Sequence, residues 1–261
     1  MRNPIILLLL LVSFFGCKET ENLESATDVR IVSFSPGITQ TLVDLGLSSK
    51  IVGRTAFCKS ISKTIPVVGS YLDIDYERLL RLKPTHVLIQ QIKTPKDKHL
   101  EHLSNREHFD LHYWKLDRVI DIQTMYSEAS KLFLEEEKVL ILDFDLYDPP
   151  SSSIVILTQG INSFTGLCFG SGTYLDDVIK LLGFSNAIKE SGWRMIALED
   201  IARLKPEKIL VVSDAPIKEE SLKGMHTLGS EVVPFVHKDA LIPSSQIVAV
   251  ANALKKKLLK Q

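Results

Sequence analysis

Residues 76–89, Tyr-Glu-Arg-Leu-Leu-Arg-Leu-Lys-Pro-Thr-His-Val-Leu-Ile, align without gaps on residues 198–211, Leu-Glu-Asp-Ile-Ala-Arg-Leu-Lys-Pro-Glu-Lys-Ile-Leu-Val, at an offset of 122. Six of these fourteen positions are identical, and three more exchange branched aliphatic residues. Such a repeat means that one supersecondary unit has been built twice, which limits the fold more than any single residue does. In each copy the apolar positions keep helical spacing as far as Lys-Pro, where proline disfavours helix in the residue before it, and a branched run follows that reads as a strand. Helix-then-strand units of this kind build parallel sheets.

The two halves also open alike. Ser35-Pro36-Gly37 starts a helix running to Leu45-Gly46, and Gly170-Ser171-Gly172 starts another running to Leu182-Gly183. The expected order in the first half is strand 30–34, helix 37–46, strand near 66–68, helix 75–82, strand 86–90 and strand 109–113. The second half reads as strand 153–158, helix 173–183, helix 197–204, strand 208–212, strand 231–236 and a last helix 244–259. Between them Val119, Ile122, Tyr126, Ala129 and Phe133 recur at helical spacing, so a helix from about 119 into the 140s is expected to join two α/β lobes before Pro149-Pro150. Residues 139–147 also alternate like a strand, which leaves the end of that helix open.

A chain of 261 residues has room for this plan. Its 31 Lys+Arg against 32 Asp+Glu leave no basic surplus for a nucleic-acid partner. Three cysteines, Cys17, Cys58 and Cys168, make neither a disulfide framework nor a zinc set; Cys58 and Cys168 fall in different halves and read as buried free thiols rather than a bridge. At the start, Met1-Arg2-Asn3 supplies a positive charge and residues 4–15 an apolar run too short to span a bilayer, the pattern of a signal peptide over 1–16. Cys17 then resembles the lipid-modified first residue of a mature bacterial lipoprotein, although Phe14 and Phe15 depart from the usual lipobox; 17–28 would be a polar tether that anchors the chain without spanning the membrane.

The ordered elements, from Arg30-Ile-Val-Ser-Phe-Ser-Pro36 through Ile51-Val-Gly53, Val67-Val-Gly69 and Leu82-Lys-Pro84, and again from Gly172-Thr-Tyr-Leu175 through Leu182-Gly183 to Leu204-Lys-Pro206, resemble the substrate-binding proteins of bacterial ABC importers for vitamin B12, haem and iron siderophores. The resemblance implies an α/β fold of the class III periplasmic-binding-protein type: two Rossmann-like lobes with parallel sheets joined by a long α-helix. The lobes would cover 29–117 and 149–261 around a linking segment 118–148, as a monomer that closes modestly on a ligand held in the cleft.

An aromatic stands six residues before the repeated glutamate in each half, Tyr71 before Glu77 and Trp193 before Glu199. Equivalent loops at the carboxyl ends of strands face one crevice, so these rings are expected on opposite walls, as platforms for a large flat ligand. By the resemblance, Tyr71, Trp193 and Phe57 match cleft aromatics of B12-binding relatives, and aromatic faces hold a corrin ring without metal ligation. Gln90 stands where some of those relatives carry tryptophan, a departure from the B12 pattern. Ser35 and Gly172, at helix starts, offer groups for amide or carboxylate oxygens or serve as caps; Phe164 lies on the loop entering the second lobe; Arg194 suits a propionate or an acidic siderophore. The transported ligand is accordingly expected to be a corrinoid, with haem or a ferric siderophore as the alternative, and no permanently bound cofactor. The resemblance also makes Glu77 and Glu199 the carboxylates that dock on arginines of the membrane permease.

Other classes fit less well. No Gly-x-Ser-x-Gly, His-Glu-x-x-His, Walker loop or Cys-x-x-Cys is present, so an enzyme is not expected. His99, His102, His108 and His112 cluster in sequence as a metal binder would require, but Lys96, Lys98 and Arg106 among them read as a solvated charged face. A two-lobed surface lipoprotein without ligand or permease is the third reading.

Overall fold

The computed structural model describes residues 28–92, 96–143, 152–158 and 165–259. Its first lobe contains β1 (Ile31–Ser33), α1 (Pro36–Asp44), β2 (Ile51–Arg54), β3 (Gly69–Ser70), β4 (Asp73–Ile74), α2 (Tyr76–Arg81), β5 (His86–Gln90), α3 (Lys98–Glu107) and β6 (Asp110–Trp114). A connecting helix, α4 (Val119–Leu134), leads to the second lobe. That lobe contains β7 (Ser153–Thr158), β8 (Thr165–Phe169), α5 (Tyr174–Leu181), β9 (Ser185–Asn186), β10 (Trp193–Ala197), α6 (Leu198–Leu204), β11 (Lys208–Ser213), α7 (Lys223–His226), β12 (Glu231–Val236) and α8 (Ile247–Leu258).

The first sheet has the order β2-β1-β5-β6 and is parallel throughout. The second has the order β10-β8-β7-β11-β12, with β9 beside β7. The expected parallel pairing holds for β7, β9, β11 and β12, and the second sheet adds to it β8, which pairs antiparallel with both β7 and β10. Pro234 lies in β12, and the position is tolerated because β12 is an edge strand.

The sequence repeat is a structural repeat. Glu77 and Glu199 are each the second residue of their helix, α2 and α6. Lys83 and Lys205, each before a proline, both take a left-handed backbone (φ 46° and 47°), and β5 and β11 then begin 122 residues apart. Proline disfavours the right-handed helical region in the preceding lysine, so both helices stop within two residues of their Lys-Pro. The opening helices end alike too: Leu47 N–H bonds to Leu42 O and Phe184 N–H to Ile179 O, both at 2.9 Å, around Gly46 and Gly183 at φ 80° and 82°.

The connecting helix is shorter than expected. It stops at Leu134, where Glu135 turns left-handed at φ 56°, and 137–143 have no regular structure. Its apolar stripe is otherwise as read, with Val119, Ile122 and Ala129 buried and Tyr126 and Phe133 packed beside them. The lobes are not strung on this helix alone. One apolar cluster runs from the first sheet (Ile31, Leu88) through α1, α4, α5 and α8 to the second sheet (Ile156, Leu210), while two smaller clusters cover the outer faces under α2 with α3 and under α6 with α7. Alternation along β5 sends Leu88 into the shared core and Val87 and Ile89 to the outer one. No helix among the described residues is long and apolar enough to cross a membrane.

Candidate functional site

A cleft of about 610 Å³ opens where the two lobes meet at the carboxyl ends of β5 and β6. Gln90, Gln91, Ile92, Lys115 and Asp117 form the first-lobe wall, and Gly172, Thr173, Ser191, Gly192 and Trp193 the second. This is the crevice a parallel sheet offers beyond its strand ends.

Trp193 begins β10 opposite Phe169 of β8. The residue is 42% exposed, and its ring tilts against Phe169 at a centroid distance of 3.8 Å, with Tyr174 at 6.3 Å. Phe169 and Tyr174 are both buried, and the Tyr174 hydroxyl donates to the Ala240 carbonyl at 2.9 Å. The exposed indole thus rests on a fixed aromatic base. Gly172 lies beside it on a segment held by reciprocal backbone bonds, Ser171 N–H to Glu190 O at 2.8 Å and Gly192 N–H to Ser171 O at 3.0 Å.

The remaining candidates fall in several places. Ser35 is buried; its hydroxyl caps α1 and donates to Gln90 Oε1 at 2.9 Å, so it positions a cleft residue instead of lining the cleft. Phe57 is exposed (67%) outside the cleft lining, but on a loop whose Lys59 reaches Asp214 of the second lobe at 3.4 Å. Tyr71 sits in the turn between β3 and β4 and packs on the outer apolar cluster of the first lobe with Tyr113; it does not line the cleft. Burial raises the Tyr71 phenol above its usual range and pushes Tyr113 up to about 12, so both hydroxyls stay protonated. Arg194 follows Trp193 in a strand and therefore faces away from it, into a separate hollow of about 360 Å³ with Glu190, Asp200 and Arg203. Phe164 and Cys17 lie outside the described residues.

Sequence reasoning missed Gln91, Lys115 and Asp117. Their signal was available: Gln91 and Lys115 each follow the last residue of a parallel strand, where such folds place ligand contacts. Next to Asp117 in the chain, Arg118 Nε and Nη2 grip the Asp177 carboxylate at 2.5–2.9 Å, and the Val119 amide donates to the same group at 3.0 Å. Asp177 raises the Arg118 pKa further through these bonds. Glu77 and Glu199 are exposed on the two lobes, and Glu77 pairs with Arg81 one turn on. Cys58 and Cys168 are buried and free; burial raises the Cys168 thiol.

Residues 31–107 match the periplasmic binding protein family. The high-affinity heme uptake system protein IsdE of Staphylococcus aureus (strain bovine RF122 / ET3-1) is 24% identical over 224 residues, 78% of this chain and 74% of that protein. Among solved structures, the periplasmic heme-binding protein HutB of Vibrio cholerae superposes with a TM-score of 0.68 at 16% identity, over 90% of this chain and 100% of that one. The periplasmic vitamin B12 binding protein BtuF of Vibrio cholerae gives 0.64 at 16% identity, over 88% and 96%. At these identities the likeness is one of fold, and the fold is the two-lobed α/β body of such binding proteins.

Proposed function

We propose that the chain is an extracytoplasmic substrate-binding protein that captures a planar tetrapyrrole between its lobes and delivers it to an ABC permease. The observation that carries this reading is Trp193, an exposed indole on a buried aromatic base, facing the first-lobe wall across a cleft of about 610 Å³. A flat apolar ring stacked there gains area burial and roughly 0.5–1.5 kcal/mol beyond it. Gln90, Gln91, Lys115 and Asp117 on the other wall offer amide, cationic and anionic partners for peripheral amides or carboxylates.

A corrinoid is the first reading. None of the described cleft residues is His, Tyr, Met or Cys, the usual protein ligands of haem iron. Tyr71 is set apart from the lining, and its raised pKa disfavours the phenolate that iron would take. A corrinoid brings its own axial ligands, so this wall suits it. Haem is the second reading, favoured by the match to IsdE and the likeness to HutB, with Lys115 as the propionate partner; a ferric siderophore is the third.

Calorimetry of the mature protein with cyanocobalamin, haemin and a ferric siderophore separates them. Tightest binding of cyanocobalamin, weakened at least tenfold by Trp193→Ala, is expected. Full cobalamin affinity in Trp193→Ala would refute the stacking platform, and haemin binding with a charge-transfer band would move the assignment to haem.

Docking is assigned to Glu77 and Glu199, equivalent by repeat and exposed on each lobe. Reversing both charges to lysine should leave ligand affinity intact and weaken binding to permease vesicles, with the wild-type interaction falling as salt rises. In this reading 1–16 is removed as a signal, Cys17 carries the lipid, 17–28 is the tether, and the lobes 29–117 and 149–261 flank the linking segment 118–148; loss of lipid labelling in Cys17→Ser would support the anchor.

A further inference from the structure

At the opposite end of the first sheet from the cleft, three potential metal ligands converge. His86, Asp110 and His112 each present a ligand atom within 4.8 Å of the others. The β5–β6 register explains the cluster: His86 pairs with Asp110 across the parallel ladder, and His112 follows two residues on, on the same face of β6. That face looks toward α4, where the Phe133 ring meets His86 edge-on at 5.1 Å, and Trp114 stacks on the far side of His112 at 5.8 Å.

Hydrogen bonds hold the cluster on its Thr85 side. The Thr85 hydroxyl accepts from the Arg30 amide at 2.9 Å and lies 3.3 Å from the Arg30 carbonyl, which also accepts from the Thr85 and His86 amides. His86 Nδ1 lies 2.8 Å from the same oxygen in a hydrogen bond that either atom can donate, and a metal on Nε2 would fix the proton on Nδ1. His86 Nε2 lies 3.8 Å from the Asp110 carboxylate. His112 Nε2 is buried with no hydrogen-bond partner among the described residues. Two imidazole nitrogens and a carboxylate thus meet, and a buried ring nitrogen without a hydrogen-bond partner requires an explanation.

We propose that His86, Asp110 and His112 form a site for a first-row divalent transition metal, zinc foremost, separate from the ligand cleft. Two imidazoles and one carboxylate are a borderline-soft set suited to such ions, and the Thr85 hydroxyl supplies the outer hydrogen bond that metal-bound histidines commonly have. Zinc at about 2.0–2.1 Å from each ligand needs ligand atoms about 3.3 Å apart, and Asp110, exposed at the sheet edge, is free to rotate into place. The ion would clip the amino-terminal ends of β5 and β6 together beneath α4. The four histidines grouped by sequence contribute only His112; His99 and His102 lie on α3, where His99 packs on Tyr76.

The test is titration of tag-free mature protein with zinc alone, by calorimetry, and with cobalt(II), by visible absorption. One equivalent of zinc should bind and cobalt should give the visible bands of a low-coordinate nitrogen and oxygen site. Asp110→Asn, at an exposed position, and His112→Gln should each weaken zinc at least tenfold, while His99→Gln/His102→Gln leaves it unchanged. Undiminished binding in His86→Gln/His112→Gln, binding that follows His99 and His102 instead, or no stoichiometric binding by the wild type would each overturn the proposal. Calorimetry with the tetrapyrrole in the same variants keeps the two sites distinct, because the cleft should be indifferent to all of them.

Discussion

Trp193 is one of two tryptophans in the chain, and the other, Trp114, is buried with its Nε1–H donating to Glu128 at 2.6 Å. Acrylamide should therefore quench a single accessible indole in the free protein, and saturating ligand should shield it; an accessible fraction unchanged by ligand would place the cargo elsewhere. Asp97 permits a second prediction at this scale. Burial alone would raise its carboxyl, but hydrogen bonds from the Tyr76 hydroxyl and the Leu100 and His99 amides outweigh that and hold it below the usual aspartate range. The folded chain then binds fewer protons here than the unfolded one, so this stability is present above the ordinary value of about 4 and lost as pH falls through the lower native one. Asp97→Asn, which can still cap α3, should flatten the urea-measured loss of stability between about pH 4 and 2. How far the site could be read follows from the same residue-level rules. The place of Trp193 at the cleft was legible from its position before the repeated glutamate, whereas that of Tyr71 was not, because its copy of the loop folds into a two-stranded ribbon and carries the ring to the outer face. Arg194 was misread because nothing in its sequence distinguished a strand from a loop, and only the strand's alternation separates it from its neighbour.

Among the elements, those with their own punctuation were the readable ones. Lys-Pro closed α2 and α6, Leu-Gly closed α1 and α5, and the branched runs after them gave β5 and β11 nearly to the residue. β8 and β10 were not legible: their antiparallel pairing depends on long-range partners, and Trp-Arg-Met-Ile-Ala carries no period-two pattern to announce a strand. The end of α4 was ambiguous for the same reason, since the run after Glu135 satisfies two periodicities. At its start, α4 depends on a tertiary partner, because Asp177 of α5 accepts from the Val119 amide as well as from Arg118. Asp177→Ala should thus cost about 1–3 kcal/mol in denaturant unfolding, by removing the acceptor of a helix-end amide and a charge-assisted pair. Arg118→Ala should cost less, since that side chain is 46% exposed and solvent screens its half of the pair. Equal losses would mean that the ion pair, not the amide, holds the helix in place.

For the whole molecule, the decisive feature is that the lobes share a core. Besides the apolar cluster through α1, α4, α5 and α8, the segment just before α8 rests directly on α1: the Ser245 amide donates to Thr41 Oγ1 at 3.1 Å, and Gln246 Nε2 donates to Asp44 at 2.7 Å. The contact is close enough that a methyl group on Gly37 would lie 2.2 Å from the Pro243 carbonyl oxygen, backbone against backbone. Gly37→Ala must push the two lobes apart at that point, and a destabilisation of about 1–3 kcal/mol is expected, as for overpacking of a core. If that strap is the pivot, the cleft lies beyond it and can narrow only by small rotations that leave the shared core intact, since packed interiors do not deform continuously. Small-angle scattering should then show little change in radius of gyration on ligand saturation in the wild type. A change on the scale of a freely hinged two-domain protein would mean that the strap releases, and Gly37→Ala would in that case mimic the open form rather than merely weaken the fold.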